Sequence, residues 1–224
     1  MTAPPDRRPA RRTHAERSDA TRAQLIAATI DVVRAQSFAG ASMFEIAKAA
    51  GVTPGALQHH FGSKAGLMMR VLEHILDDTS GGVAWPPASL GAPERARAFV
   101  RALWKDVYEP PRFLVAWRIY FGSAEDDTIR AGVAAHRNRL ARALRARFVA
   151  VFPELAGAPD LDAFTDLVFS CLRGLAVARL FDPMPRACAR QLAALADLIA
   201  ERCARSLAVP AAAGPAASRR RTSR

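Results

Sequence analysis

Apolar residues recur at intervals of three and four along most of the chain, which is the spacing of one face of an α-helix. The first run places Leu25, Ile26, Ile30, Val33 and Phe38 on one face. Further helical runs cover residues 94–109, 112–121, 126–152, 161–180 and 186–207, and the Gly-, Pro- and Ser-rich residues 79–92 predict a connection. Because no strand-like alternation of useful length interrupts them, the sequence predicts an all-α fold of about nine helices.

Residues 42–61 predict two short helices joined by a tight turn. Ser42 and Glu45 have the spacing of a capping box at the start of the first helix. Gly51 tolerates the left-handed backbone that ends a helix, and Thr53 followed by Pro54 begins the second one. Such an arrangement matches the helix-turn-helix that enters the DNA major groove. An ordinary helical hairpin is the alternative, and the surrounding pattern argues against it.

The flanking residues extend this motif into a larger pattern. Gly62 breaks the chain, Ser63 caps a new helix, and that helix carries apolar residues from Leu67 to Leu76. The region Thr21 to Leu76 resembles the tetracycline-repressor (TetR) family of transcriptional regulators. The residues that carry the resemblance are Leu25-Ile26-Ala27-Ala28, Ser42, Ile46-Ala47, Ala50-Gly51-Val52, Gly55, Leu57, His59, Phe61, Lys64 and Leu67.

The chain departs from the family pattern at three positions. Gln58 stands where the family usually has Tyr, Ser37 where Gly is common, and Phe44 where a polar residue is usual. These departures concern the detail of the DNA contacts, whereas the motif itself is retained.

The resemblance implies which residues meet double-stranded DNA at a palindromic operator. Thr53 and Lys64 suit phosphates at helix starts, Ala56 suits a thymine methyl group, and Gln58 suits the N6 and N7 atoms of adenine. The full set implied by the family is Ser42, Thr53, Pro54, Gly55, Ala56, Gln58, His59, His60 and Lys64.

The net charge of +11 favours a nucleic-acid partner, although its distribution matters more than its size. Seven of these charges lie in residues 1–22 and 208–224, whose composition predicts disorder. The arginines of residues 7–12 precede the motif, and an arm there either reaches an adjacent minor groove or phosphates, or stays solvated. The predicted organisation is a basic arm (1–18), a DNA-binding domain (19–79), a ligand-binding and dimerisation domain (80–207) and a basic tail (208–224).

Composition also indicates the compartment. The chain has no apolar run of membrane-spanning length and no signal-peptide segment, so we expect a cytoplasmic protein without a membrane partner. Cys171, Cys188 and Cys203 are odd in number and widely spaced, which indicates small buried residues and no disulfide or metal framework.

The middle helices concentrate aromatic residues. Because the family resemblance implies a small-molecule pocket in this region, and because such pockets are mostly apolar, these residues are candidate ligand contacts, with ordinary core packing as the alternative. The candidates are Trp104, Tyr108, Phe113, Trp117, Tyr120, Phe121 and the apolar-stripe histidine His136. The sequence does not identify this small-molecule effector.

The last two helices are apolar on more than one side and therefore need cover on two faces. In the resembled family they form a four-helix dimer interface, which implies a homodimer; the alternative is that other helices of the same chain cover both faces. The candidate interface residues are Phe164, Val168, Leu172, Leu175, Leu192, Leu195 and Ile199.

Known catalytic motifs are missing from the sequence. It contains no dinucleotide fingerprint, P-loop, nucleophile elbow or zinc-protease motif, so we expect neither an enzyme nor a cofactor. The sequence thus predicts a dimeric DNA-binding regulator, a repressor released from its operator by a small molecule. The alternative is a helical ligand-binding or adaptor protein that has lost sequence-specific DNA binding.

Overall fold

The structure, a computed structural model, describes residues 13–124, 126–179, 181 and 185–208, leaving out the side chains of residues 14 and 76–81. Over these residues the chain forms nine α-helices and no strand, so the all-α prediction is confirmed. The helices are α1 (His14–Gly40), α2 (Met43–Ala49), α3 (Pro54–Phe61), α4 (Lys64–Gly82), α5 (Ala92–Leu103), α6 (Pro111–Gly122), α7 (Asp127–Val151), α8 (Leu161–Ala178) and α9 (Pro185–Ala208). None of the helices described here has both the length and the hydrophobicity needed to cross a lipid bilayer.

Two predicted boundaries require correction. A two-way capping box between Thr13 and Glu16 starts α1 at His14, inside the segment predicted as a disordered arm. The second boundary concerns α4, which continues to Gly82 through residues 79–82 of the predicted connection. Glycine weakens a helix but, unlike proline, does not break it. The predicted arm residues 1–12 and tail residues 209–224 lie outside the described residues.

The helices form two compact units, of which the first comprises the described residues of Met1–Gly82 together with Pro110–Arg139. In this unit α1 packs against α2, α4 and α6, and α3 packs against α2 and α4. The apolar part of its core includes Leu25, Val33, Ile46, Leu57, Leu67, Met68, Leu72, Val115, Ile119, Ile129 and Val133.

Helix α1 is broken near its end. Ser37 has φ 71° and ψ 176°, in a backbone region that is normally reserved for glycine. The following Phe38 packs against α6 so closely that a Cβ atom on Gly122 would clash with its ring. Gly122 therefore allows the close approach of α6 to the broken end of α1.

The second unit comprises Val83–Glu109 and the described residues of Leu140–Arg224. Here α5 packs along α9, and the ring of Phe99 contacts those of Phe148, Phe152 and Phe169 with centroids 5.2–6.3 Å apart. Between α5 and α6 the chain makes a π-helical turn, Trp104–Tyr108, which the sequence does not predict. A 3₁₀ turn, Pro153–Leu155, follows α7.

Candidate functional site

The predicted helix-turn-helix is built by local capping bonds. The backbone N–H of Glu45 donates to Ser42 Oγ at 3.1 Å, and the N–H of Ala56 donates to Thr53 Oγ1 at 3.1 Å. Gly51 ends the first helix with φ 65°, in the left-handed region. The predicted helix starts and the predicted turn are therefore confirmed.

Helix α3 is anchored on one side and open on the other. Leu57 is 0% exposed and fixes the helix to the core of the first unit. The opposite side presents Thr53, Pro54, Gly55, Gln58 and His59 to solvent, whereas Ala56 and His60 are half-buried. A helix held on one side by Leu57 and the half-buried Phe61, and exposed along the other face, has the form needed to enter a groove.

Gly55 is the position on this face where a side chain would meet no obstacle within the protein. A Cβ atom built there finds Thr53 Oγ1 at 3.9 Å, which is ordinary van der Waals contact. The fold therefore does not require glycine at position 55. A glycine at this exposed position leaves room for the close approach of another surface.

The end of α3 borders an open cleft of about 560 Å³, lined by Arg22, His60, Phe61, Gly66, Met69 and Arg70. Both arginines carry carboxylate partners from their own helices: Arg22 pairs with Asp19 at 3.4 Å, and Arg70 pairs with Glu73 at 2.6 Å. Ser42, the remaining polar candidate, is exposed at the start of α2.

Lys64 differs from the other candidate DNA contacts because its ammonium group is engaged within the protein. Its Nζ donates to the carbonyl oxygen of Phe38 at 2.9 Å and lies 4.2 Å from the centroid of that ring. Desolvation by burial lowers the pKa of Lys64. Lys64 is thus placed beside the broken end of α1.

Five of the seven candidate ligand residues lie together in the first unit. Trp117 is the centre of this cluster, with ring centroids 6.3, 5.4 and 5.1 Å from those of Phe113, Tyr120 and Phe121. His136 is 3% exposed and its ring lies 6.3 Å from that of Tyr120. We call these five residues the α6 aromatic cluster.

A cation already lies over the α6 aromatic cluster. The guanidinium of the exposed Arg137 is 5.9 Å from the Trp117 ring and 6.0 Å from the Tyr120 ring. Phe121 is 62% exposed, so part of the cluster is open to solvent. These rings therefore present both an apolar surface and faces that accept a positive charge.

The other two candidate ligand residues, Trp104 and Tyr108, belong to the second unit, at the two ends of the π-helical turn. The Arg179 guanidinium lies 5.5 Å from the Trp104 ring. Tyr108 is 4% exposed, and burial raises the pKa of its hydroxyl group. π-Helical turns are frequent at functional sites, but Tyr108 itself is placed as a core residue.

The candidate interface residues are largely covered within their own chain. Val168, Leu172, Leu195 and Ile199 are buried, whereas Phe164, Leu175 and Leu192 are half-buried. Large apolar side chains that remain exposed on these helices are Leu167 on α8, at 50%, and, on α9, Leu198 at 36% and Leu207, next to the end of the helix, at 71%. None of these exposed leucines belongs to the predicted interface set, since the apolar spacing that selects that set also marks the side of each helix that packs within its own chain.

Phe164 and Arg202 show which sides of α8 and α9 meet. The Arg202 guanidinium bonds to Asp160 and lies 5.7 Å from the Phe164 ring. Leu167 is three residues after Phe164, and Leu198 is four residues before Arg202, so each lies about one turn along its helix from this contact, where it stays exposed. We call this surface the α8/α9 face. Gly174 on α8 adds open space, because a Cβ atom there would meet nothing within 4 Å.

Comparison with known proteins gives one family and several relatives. The model of "Bacterial regulatory proteins, tetR family" matches residues 25–71. The transcriptional regulator CymR of Pseudomonas putida is 29% identical over 178 residues, which cover 77% of this chain and 86% of that protein.

Solved structures share the fold. A transcriptional regulator from Rhodococcus sp. Rha1 superposes with a TM-score of 0.68 at 23% identity, covering 81% of this chain and 96% of the other. The multidrug binding protein EbrR, in a complex with ethidium, superposes with a TM-score of 0.61 at 22% identity, covering 80% and 98%. At these identities the structural likeness concerns the fold.

Proposed function

We infer from these comparisons that the chain belongs to the tetR family of bacterial regulatory proteins and is a DNA-binding transcriptional regulator. From that premise we propose that it acts in the cytoplasm as a homodimeric repressor, which a small molecule releases from a palindromic operator. The observation that carries the DNA-binding part is the open face of α3 around Gly55. Its relatives are regulators and not enzymes, which supports a role without catalysis.

The proposed DNA contacts divide into two groups by position. Ser42, Thr53 and Pro54 lie at helix starts, where backbone N–H groups favour phosphate oxygens. Gly55, Ala56, Gln58, His59 and His60 lie along α3, where side chains reach base edges when a recognition helix enters the major groove. Of these, exposed Gln58 has the chemistry to read adenine.

The direct test is binding to the DNA that flanks the protein's own gene, followed by fluorescence anisotropy at several salt concentrations. Gln58→Ala is expected to change the base preference, at a cost of about 1–3 kcal/mol at the preferred site. The exposed Asn138 on α7 carries the same amide group and supplies a control, Asn138→Ala, that should leave binding unchanged. Wild-type protein that binds all sequences alike, or a Gln58→Ala variant with unaltered preference, would contradict the proposal.

The homodimer is proposed on the α8/α9 face. Exposed Leu167 and Leu198 supply apolar surface, and Gly174 supplies room for close approach. Two-fold symmetry requires that each patch meets its own copy, which suits two helices carrying small and apolar residues together. A protein that binds both halves of a palindromic site also needs two helix-turn-helix motifs related by two-fold symmetry, which a homodimer provides.

A charge on this face should separate the subunits. Leu198→Glu places a carboxylate in an apolar seam, at a cost of several kcal/mol if it stays unpaired there. Ala204→Glu adds the same charge about 120° around α9 and serves as the control. Sedimentation should show monomers for Leu198→Glu and dimers for Ala204→Glu. If the wild-type protein sediments as a monomer at micromolar concentration, the homodimer proposal is wrong.

The effector is proposed to bind at the α6 aromatic cluster. Its rings give apolar surface, and the Arg137 guanidinium, 5.9 and 6.0 Å from two of them, supports a cationic ligand. EbrR, which shares the fold, binds ethidium, a planar aromatic cation. We therefore propose an aromatic or cationic small molecule that favours a conformer with weaker DNA binding, which requires different affinities for the two conformers.

Tetraphenylphosphonium is a suitable probe because it is both aromatic and cationic. Trp117→Ala and Tyr120→Ala should weaken its binding in calorimetric titrations and reduce the release of DNA that it causes, without altering DNA affinity in its absence. Trp85→Ala, in the second unit, is the control. If the Trp117 and Tyr120 variants lose DNA binding outright, the cluster is structural core and the assignment is wrong.

A further inference from the structure

The break in α1 exposes backbone carbonyl groups that a continuous helix would satisfy internally. Ser37 leaves helical geometry at φ 71°, so the regular bonding from each carbonyl to the N–H four residues later is interrupted in the preceding turn. Such carbonyl groups need other donors when they are away from water. The carbonyl groups of Val33 and Arg34 lie in that turn, and the carbonyl group of Phe38 lies just after the break, in the last turn before the helix ends at Gly40.

Side chains from two other helices supply these donors. Arg118 of α6 donates to the carbonyl oxygen of Val33 at 2.9 Å and also to that of Arg34. Lys64 of α4 donates to the carbonyl oxygen of Phe38 at 2.9 Å. Since α1 leads directly into Ser42 and α2, these bonds fix the approach of the chain to the helix-turn-helix.

Lys64 makes a second contact at the same point. Its ammonium lies 4.2 Å from the Phe38 ring centroid, which is cation–π range. The Phe38 ring also packs closely against α6 at Gly122. An ammonium group has three N–H bonds; turning Lys64 outward to a phosphate would give up both the carbonyl bond and the ring contact.

We propose that Lys64 is a positioning residue that clamps the broken end of α1 and so sets the orientation of the helix-turn-helix formed by α2 and α3. In this role Lys64 does not neutralise a DNA phosphate. This replaces the direct phosphate contact that the family resemblance implies for position 64. Arg118 completes the clamp from α6, and the two cations together hold the carbonyl oxygens of Val33, Arg34 and Phe38 on the two sides of the strained Ser37.

The two roles predict different dependence on salt. Each phosphate neutralised by a protein cation adds about 0.9 to the slope of log affinity against log salt concentration on duplex DNA. Loss of a phosphate contact at Lys64 would therefore lower that slope, whereas loss of the clamp would weaken affinity with the slope unchanged. Non-specific duplex DNA suffices, so the operator need not be known.

The experiment compares Lys64→Met, Lys64→Arg and Lys48→Met in the full-length protein. Methionine keeps the unbranched apolar stem and removes both donor and charge, whereas arginine restores a donor. Lys48 is exposed on α2 and provides a charge-matched control in the same head. The readouts are the salt slope, backbone hydrogen exchange of residues 33–42, and thermal unfolding.

The clamp predicts that Lys64→Met speeds exchange of residues 33–42, lowers Tm by roughly 3–8 °C, and weakens DNA binding at an unchanged slope. Lys64→Arg should restore the exchange rates, and Lys48→Met should leave them at wild-type values. The proposal is overturned if Lys64→Met lowers the slope by about 0.9 while exchange stays at the wild-type level. If wild-type protein binds no DNA, the DNA-contact proposal fails, and the exchange measurement alone decides the clamp.

Discussion

The two units are each held together by an arginine that reaches between helices, but the partners of the two arginines differ in kind. Arg95 in the second unit is 5% exposed, bonds to the carboxylate of Glu154 and to the carbonyl oxygens of Ala88 and Leu90, and lies 5.4 Å from the Phe152 ring. Arg118 in the first unit is half-buried and donates to backbone carbonyl oxygens of α1.

The different partners of the two arginines indicate how easily the helices of each unit can shift relative to one another. A buried charge paired with an opposite charge resists any change that would separate the two, because separation leaves an uncompensated charge in a dry interior. A guanidinium on carbonyl dipoles loses less when it moves, since water can replace it at a half-buried site. The first unit is therefore the more adjustable one, which suits the unit that carries the reading helix.

The sharpest test of the comparison is Arg95→Met, for which we expect the largest loss of stability. It leaves the Glu154 carboxylate buried without its partner, and should lower the free energy of unfolding by about 3–5 kcal/mol. Urea unfolding followed by tryptophan fluorescence measures this. Arg97→Met is the control, because Arg97 and Asp197 form an exposed pair 3.6 Å apart, worth about 0–1 kcal/mol. Equal losses in both variants would break the comparison.

Arg118→Met should cost less, about 1–3 kcal/mol, the range for hydrogen bonds that involve a charged group. Trp117, the tryptophan of the first unit, reports the change in a single-tryptophan background. Arg130→Met, which disturbs an exposed pair with Asp127 in the same unit, is the reference variant. A loss as large as that of Arg95→Met would show that the first unit is pinned as firmly as the second.

High pH should weaken the second unit selectively through Cys203. Burial, and then the hydrogen bond to Glu154, raise the pKa of Cys203 to about 12. The folded thiol therefore keeps its proton while an unfolded thiol loses it above about pH 9, so stability is fully present below that pH and declines as the pH rises toward 12. By pH 10 we expect Cys203 to contribute a loss of about 1 kcal/mol, so the loss should be smaller by that amount in Cys203→Ala, where the buried Tyr108 and the half-buried Cys188, whose pKa values are also raised, still contribute. Cys171→Ala, at a half-buried position, should retain the loss.

The smallest expected change in stability comes from Gly55→Ala on α3. Alanine should raise the free energy of unfolding by about 0.5–1 kcal/mol, because it has less conformational freedom to lose than glycine. DNA affinity should nevertheless fall, since the added methyl group stands where another surface approaches. Gly91→Ala, in the second unit, should leave DNA binding unchanged. Tighter DNA binding by Gly55→Ala would contradict the open-face interpretation of α3.

Local chemistry explains why the helix-turn-helix could be predicted from the sequence. Caps at Ser42 and Thr53, the proline at position 54 and the left-handed Gly51 act over three or four residues, so their effect can be read from neighbours. The buried side of each helix follows equally from apolar spacing, as Leu57 and the stripe through Ile129 and Val133 show.

Long-range partners could not be predicted in this way. Arg118 and Val33 are 85 residues apart, and Arg95 and Glu154 are 59 apart. No spacing rule connects residues so far apart in the sequence. Because arginine is abundant along the chain, the sequence also does not distinguish the arginines that join helices from those that are exposed. For the same reason Lys64 was assigned from its place in the motif, and its contact with Phe38, 26 residues earlier, was not foreseen.

The serine at the break in α1 has a further consequence for how this segment behaves. Backbone angles like those of Ser37 cost a non-glycine residue roughly 1–3 kcal/mol. Glycine would remove that cost and would also admit many other angles. With serine at position 37 the segment is strained but has few accessible backbone conformations, so it is more rigid than it would be with glycine. A displacement of α1 on one side of Ser37 should therefore move the residues on the other side as well.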